Sequence, residues 1–520
     1  MQMRTRLDTM LTLSDMPSPL AFSASQIMGI AGAIFIVYII ASIIYNIYFH
    51  PLSKYPGPKI TAISRLPLIY STITGNTWRF TDRLHAHYGS IVRIAPDEIA
   101  TTSSGAWKDI YTTKPLMPKD PFSQTPPMNG AESLFTAAGE THHRIRKNFI
   151  NAFSDRALKD QSPIIESYAN LLMTRLRREI VKSPDGKVDM AKYYGYATLD
   201  IIADLTFGES FYGLEGDNEH SWILGFFLGA KFGSVRNSLS RFHPIDKIFG
   251  WIFLRLTAKN RARSWQVATD KISRRLEMGD LGASRSDFIT PVVGRLDETQ
   301  QKGITRKELN TNGLAVVIAG CQLTTVALAT STYLLMRYPE TLKRLTEEIR
   351  GSFKLEADIT IPSTMNLPYL AAVINETLRI HHPTPINLPR VVPPEGQMID
   401  GHWIPGGNII GVNLQNIQND PANWVEPRIF HPERFLPESD SRYQKRFDKD
   451  DKQAFQPFSV GGRNCMGGKV FLAEARVILS KMVWNFDFDM VDSNDWNWMD
   501  QKAYLVFEPK ALMVKLKEKA

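Results

Sequence analysis

The chain's first long unbroken apolar run is IMGIAGAIFIVYIIASIIYNIY, Ile27 to Tyr48, which carries no charge and has only Ser42 and Asn46 as clearly polar positions. At about 1.5 Å of rise per residue it spans a hydrocarbon core of about 30 Å. A transmembrane helix is therefore expected over residues 27–48, behind a short tail of residues 1–26. The run is too long, and too far from Met1, for the apolar core of a signal peptide. In FHPLSKYPGPK the prolines Pro51, Pro56 and Pro58 forbid helix, so residues 49–59 read as a stiff, extended hinge before a soluble body of residues 60–520.

Within that body, IVRIAPDEIATT (Ile91 to Thr102) has two β-rich runs around Ala95-Pro96-Asp97-Glu98, and Gln397 to Val412 repeats the pattern around an Asp400-Gly401 turn. Both hairpins are short. Most other segments repeat apolar residues at helical spacing. The longest opens on the capping box Thr305-Arg306-Lys307-Glu308 and meets no proline until Pro339, enough for roughly 50 Å of helix. A second helix opens at Leu367-Pro368 and stops before His382-Pro383, and Glu438 to Lys452 reads as a solvated, charged loop. The expected class is mainly α with small β-sheets (α+β), without internal repeats.

Composition narrows the function. The 520 residues are 43% hydrophobic, enough to bury a large core, and 61 basic against 53 acidic residues give +8. No Lys/Arg block marks a nucleic-acid surface; an acidic protein partner or an anionic membrane suits the charge better. Arg4 and Arg6 precede the apolar span while Lys54, Lys59 and Arg65 follow it, which weighs towards a cytoplasmic body. Cys321 and Cys465 are the only cysteines, which excludes a disulfide framework and a cysteine-rich zinc site.

Cys465 stands in FSVGGRNCMGG, just before the helical stretch KVFLAEARVILSKMVW. Glycines allow a sharp turn and close backbone approach to a flat partner, and a helix N-terminus stabilises a thiolate, the form that binds metal. Phe458-x-x-Gly461-x-Arg463-x-Cys465-x-Gly467 resembles the haem-binding signature of the cytochromes P-450, where a cysteine thiolate is the axial ligand. In the same order as in that family, YPGP is similar to its proline hinge, Glu376-Thr377-Leu378-Arg379 to its ExxR motif and Pro432-Glu433-Arg434-Phe435 to its PERF motif. The resemblance runs from about residue 45 to the end of the chain.

The resemblance implies a cytochrome P-450 fold behind the membrane helix and haem b bound by Cys465, with Phe458, Gly461, Arg463 and Gly467 shaping the ligand loop. It implies a buried Glu376–Arg379–Arg434 triad, where spacing alone allows only an exposed Glu–Arg pair. Arg463, Arg390 and the pair His142 and Arg146, four apart on one helix face, are implied propionate contacts; without the resemblance the last two read as a solvated basic face. Arg144, Lys147 and Lys469 are candidates for a docking patch for an acidic electron donor. The implied pocket draws on Phe122, Met128, Phe135, Val316, Ile386, Leu388 and Leu505.

One departure concerns oxygen chemistry. The family's long helix normally reads Ala/Gly-Gly-x-acid-Thr-Thr/Ser, whereas this chain has Ala319-Gly320-Cys321-Gln322-Leu323-Thr324-Thr325. Ala319 and Gly320 keep the oxygen groove. Gln322 orients water but supplies no carboxylic proton, and Leu323 has no hydroxyl. For Thr324 to stand in, the helix must turn by about 100° or bulge. Cys321 reads as packing.

The implied activity is a membrane-anchored haem-thiolate monooxygenase. It takes O2 and NADPH-derived electrons, through NADPH–cytochrome P-450 reductase with cytochrome b5 as a second donor, and hydroxylates or epoxidises a lipophilic substrate. HPLSKYPGP and SLFTAAGETHHRIR resemble fungal microsomal members that act on terpenoids and polyketides. A single-pass protein of the endoplasmic reticulum, with its catalytic domain facing the cytoplasm, is implied. The altered helix keeps a second reading open, an isomerase or lyase that rearranges or dehydrates an oxygenated substrate without external electrons.

Overall fold

The computed structural model describes residues 23–124, 126–127, 129–216, 221–242, 245–279, 285–491, 497–508 and 510–519. The tail with Arg4 and Arg6, and the pocket candidate Met128, lie outside the described residues.

The apolar run is a helix, Ala24–Ile44, continued by a wider π turn at Tyr45–Phe49, and none of its side chains is buried. It starts earlier than hydropathy alone placed it. Ser23 supplies the reason: its hydroxyl accepts from the Gln26 N–H and the Gln26 side chain accepts from the Ser23 N–H, a capping box. An exposed apolar helix of this length is consistent with a membrane anchor.

The proline segment is not an extended spacer. Leu52 and Tyr55 are buried, the Arg93 N–H donates to Pro56 O at 2.8 Å, and the Tyr55 hydroxyl donates to Trp403 O at 2.7 Å. Two apolar side chains among the prolines have a core to join, and they fold the segment onto the sheet.

That sheet has the order β1-β2-β7-β4, from Ile91–Ala95, Glu98–Thr101, Ile409–Val412 and Arg390–Val391. β1 and β2 form the expected hairpin, and β7 joins β2 in parallel. The second expected hairpin is shorter than its sequence pattern. β5 (Gln397–Ile399) pairs with β6 (His402–Ile404) across Asp400 and Gly401, both at positive φ. The chain then leaves for the larger sheet through Gly406 and Gly407; a Cβ on Gly406 would stand 2.2 Å from Pro394 O. β3 (Lys187–Asp189), β9 (Met513–Glu518) and β8 (Phe486–Met490) make a third sheet.

The expected long helix is Arg306–Arg337, with Thr305 and Glu308 closing its capping box. Its main partner is the helix Met190–Phe207, and the two share the largest buried cluster of the described residues. Cross-links are polar as well as apolar: Tyr194 Oη lies 2.8 Å from Thr332 Oγ1, and Thr198 Oγ1 lies 2.7 Å from Thr325 Oγ1. The helices Pro368–Ile380 and Gly468–Asn485 pack on the same long helix.

Candidate active site

The ligand loop is held by its own backbone. The Cys465 N–H donates to Phe458 O at 2.8 Å, and the Asn464 N–H donates to Gly461 O at 3.1 Å. Gly461 has φ +77°, and a Cβ there would lie 2.0 Å from Tyr111 O, so no other residue fits. The Phe458 ring lies against Gly468 and meets Phe471 edge-on at 5.6 Å. His382, missed in the sequence, fixes the approach to the loop: its Nδ1 accepts from the Thr384 N–H, which leaves Nε2 to donate to Pro457 O at 3.0 Å.

Cys465 is free and exposed, although much of its thiol is surrounded by protein. Burial pushes the thiol up, while the Gly467 N–H, the Arg146 charge and the Gly468 N–H pull it down. The helix Gly468–Asn485 begins three residues later. A reachable sulfur with oriented N–H groups beside it is suited to binding a cationic metal centre as thiolate.

Near the ligand loop the structure gathers Arg463, Arg390, His142 and Arg146, and adds Lys119. No described carboxylate forms an ion pair with any of these groups, and burial and the charged ones, Arg463, Arg390, Arg146 and Lys119, keep the His142 imidazole neutral. Burial, Arg463, Arg146, Lys119 and Arg390 together push His142 down to about 3. Burial, Arg463 and Arg390 push Lys119 down to about 8, and burial, Arg390 and Arg146 push Arg463 down to about 10. Arg463 donates from Nη2 to Ala137 O at 2.8 Å, while its buried Nη1 has no partner. Uncompensated cations beside an open thiol fit a flat metal macrocycle carrying two carboxylates. Lys119 lies in PLMPKDPF, where prolines erase any periodicity; its tie to the site is the bridge pairing Lys119 with Arg390.

Arg146 is engaged differently from the other cations. Its Nη1 donates to Asn464 O at 2.9 Å and its Nη2 to Asn464 Oδ1 at 2.6 Å, so it braces the residue before Cys465.

In the middle of the long helix, Ala315, Val316, Ile318, Ala319, Gly320, Leu323 and Thr325 are half-buried, and Val316, Ala319 and Leu323 share one face at spacings of three and four. Leu323 thus stands where the family pattern has an alcohol, on the face shared with Val316 and Ala319. Gly320 borders this face, but a Cβ there would lie 2.5 Å from Ile202 Cγ1, so the glycine admits the neighbouring helix. The helix is continuous, without a bulge, and Thr324 is buried: its hydroxyl donates to Gly320 O at 3.0 Å and contacts the Glu474 carboxyl. Gln322 is buried as well. Cys321 packs against Thr198 and Gly195, and burial pushes its thiol up to about 12.

Glu376, Arg379 and Arg434 form a buried cluster. Arg379 holds both Glu376 oxygens, at 2.7 and 2.8 Å, and Arg434 Nε reaches the same carboxylate at 3.1 Å. Arg434 Nη1 also binds Asp450 at 2.6 Å. The segment read as a solvated loop therefore contributes a buried acid, and Phe447 beside it is buried too. Two buried guanidinium groups need more than one carboxylate, and Asp450 supplies the second.

The basic patch is smaller than expected. Arg144 is turned inward, holding Glu308 at 2.7 and 3.0 Å and Gly303 O at 2.6 Å, because the buried acid of the capping box needs a counter-charge. Lys147 is exposed, and Lys469 is exposed but paired with Asp155 at 2.6 Å. Of the pocket candidates, Phe122, Phe135 and Leu505 are exposed and Val316, Ile386 and Leu388 half-buried.

Comparison with known proteins agrees with this geometry. A sequence model of the cytochrome P-450 family matches residues 56–516. The cytochrome P-450 monooxygenase lcsI of Purpureocillium lilacinum is 36% identical over 500 residues, covering 94% of each chain. Averantin hydroxylase of Dothistroma septosporum is 36% identical over 497 residues, 95% of this chain and 91% of the relative. The cytochrome P-450 monooxygenase stcF of Emericella nidulans is 34% identical over 491 residues, 94% and 99% of the two chains.

Proposed function

This chain belongs to the cytochrome P-450 family of haem-thiolate monooxygenases, and on that premise we propose that it hydroxylates or epoxidises a lipophilic secondary metabolite of terpenoid or polyketide type. The observation that carries the reading is the meeting of an accessible Cys465 thiol with a set of cations that no described carboxylate neutralises. When bound, the haem iron supplies the activation of O2 for transfer of one oxygen atom to the substrate, with electrons from NADPH.

The chain's own residues then have separable tasks. Cys465 would be the iron ligand, Phe458 packs the ligand loop against Gly468 and Phe471, and Gly461 and Gly467 would let the backbone approach the ring closely. Arg463, Arg390, His142 and Lys119 would hold the two propionates, and Arg146 keeps the ligand loop in place through Asn464. Ala319 borders the oxygen groove. Beside Leu323, Gln322 and Thr324 are the polar neighbours on the helix; both are buried, and the Thr324 hydroxyl donates to Gly320 O.

The apolar face formed by Val316, Ala319 and Leu323 supports a lipophilic substrate. One relative is named for hydroxylating averantin and the others as monooxygenases, which favours oxygen insertion over rearrangement of an oxygenated substrate. Residues 27–48 would anchor the enzyme in the endoplasmic reticulum membrane, with residues 49–59 leading into a cytoplasmic catalytic body of residues 60–520. Lys54 and Lys59 are exposed just after the anchor, in keeping with that orientation. NADPH–cytochrome P-450 reductase is the electron donor, with cytochrome b5 as a second.

The test uses the purified full-length enzyme with an organic extract from a deletion strain. A new product carrying one labelled oxygen from 18O2, formed only with NADPH and reductase, is the expected result. Product formed without reductase and O2 would overturn the reading.

A further inference from the structure

The segment that leads into the ligand loop is held by hydrogen bonds more than by packing. From Phe455 to Val460 every side chain is half-buried and none is fully buried. Ser459 stands at φ +59°, a region that a residue with a side chain enters only where its surroundings hold it there. Three bonds supply the hold: the Ser459 N–H donates to Gln456 O at 2.9 Å, the Cys465 N–H to Phe458 O at 2.8 Å, and His382 Nε2 to Pro457 O at 3.0 Å. Of these, the last alone comes from a distant part of the chain.

His382 is itself fixed from several sides. It stands just past the helix Pro368–Ile380, and its N–H donates to Gln415 Oε1 at 2.7 Å, while Gln415 Nε2 donates to Ile380 O at 2.8 Å. The ring is buried and, with the Thr384 N–H donating to Nδ1 at 3.0 Å, has one proton to offer, on Nε2. Pro457 has no N–H, so its carbonyl is the only backbone group through which that residue is held. Fixing this oxygen fixes the planar Pro457–Phe458 peptide, and with it the chain's approach to the Phe458 carbonyl that receives the Cys465 N–H.

We propose that His382 is a positioning residue for the iron ligand: by holding Pro457 O it keeps the Cys465 sulfur aligned with the backbone N–H groups beside it, and so sets how strongly that sulfur donates to iron. This role rests on the reading of Cys465 as the haem ligand. The N–H groups of Gly467 and Gly468 bond to the sulfur. Such bonds draw electron density from a thiolate and raise the potential of the iron it holds. Without the His382 bond the sulfur slips from these donors, density returns to the iron, and the potential falls.

The experiment uses the full-length holoprotein as wild type, His382→Asn and His382→Gln. Asparagine still accepts from the Thr384 N–H but is too short to reach Pro457, whereas glutamine places an N–H donor close to the position of Nε2. The ferric–ferrous potential is read by dithionite titration with mediator dyes, beside the spectrum of the ferrous carbon monoxide complex. His382→Asn is expected to disfavour the ferrous form about tenfold, a fall of about 59 mV for a one-electron couple, and His382→Gln to stay within about twofold of wild type. A merely structural role would lower the resistance of His382→Asn to urea and leave its potential unchanged. That result overturns the proposal, as does an equal shift in both variants. If His382→Asn holds no haem, Gln415→Leu, which frees the His382 backbone and keeps its ring, decides in its place: a fall in potential is expected, and no change overturns the role. A wild type without the red-shifted band of thiolate ligation would refute Cys465 as the ligand; with that band present, the potentials bear on His382 alone.

Discussion

The carboxylate of Asp450 lies 2.6 Å from the guanidinium of Arg434, with neither side chain exposed. Arg434 shares its other partner, Glu376, with Arg379, so Asp450 completes the charge balance of the buried cluster. Removing one partner of a buried pair strands the other charge. Asp450→Asn should therefore cost about 3–5 kcal/mol. Urea denaturation of the holoprotein measures it, with exposed Glu438→Gln as a control that should stay near wild type.

Lys119 should matter to cofactor retention. A charge-assisted hydrogen bond contributes about 1.5–3 kcal/mol, so Lys119→Met should weaken haem binding by roughly ten- to a hundredfold. Haem transfer to apomyoglobin reads this. Lys147→Met, on the exposed side of the helix Gly139–Phe149, should leave transfer unchanged.

Glu474 should make stability fall with rising pH. Burial raises its carboxyl to about 8 in the folded protein, while the unfolded chain titrates near 4.3. Between those values the folded state holds the proton that the unfolded state releases. Its stability contribution is thus present below the unfolded pKa and lost as pH rises towards 8, by at most about 1.4 kcal/mol per pH unit. Glu474→Gln should melt above wild type at pH 8, and the gap should close towards pH 5.

Much of this organisation is legible in the sequence because it depends on local patterns. The anchor follows from an uncharged apolar run, the long helix from Thr305 and Glu308 and an absence of proline, and the ligand loop from glycines around Cys465. Contacts between distant segments leave no periodic trace. Lys119 reaches the cationic set through the strand pairing with Arg390, Asp450 is buried because Arg434 requires it, and Arg144 turns inward to meet Glu308. Leu52 and Tyr55 show the same limit: prolines predict an extended backbone but not the core that two apolar side chains join.

Leu323, without a hydroxyl, should limit proton supply. Leu323→Thr combined with Gln322→Glu restores a hydroxyl on that face and an acid next to it in the buried flank, and should raise the fraction of NADPH converted to product severalfold over that lost to peroxide. Parallel NADPH and peroxide assays check this. An unchanged ratio would mean that protons arrive from the substrate or from Glu474 without hindrance.

The central claim is that Cys465 ligates haem iron as a thiolate. The most direct measurement is the absorption spectrum of the ferrous carbon monoxide complex of the purified full-length protein, compared with Cys465→Ser. The wild type should show the strongly red-shifted Soret band of thiolate ligation, and the variant should lose it. A wild type without that band, or a variant that keeps it, would contradict the account.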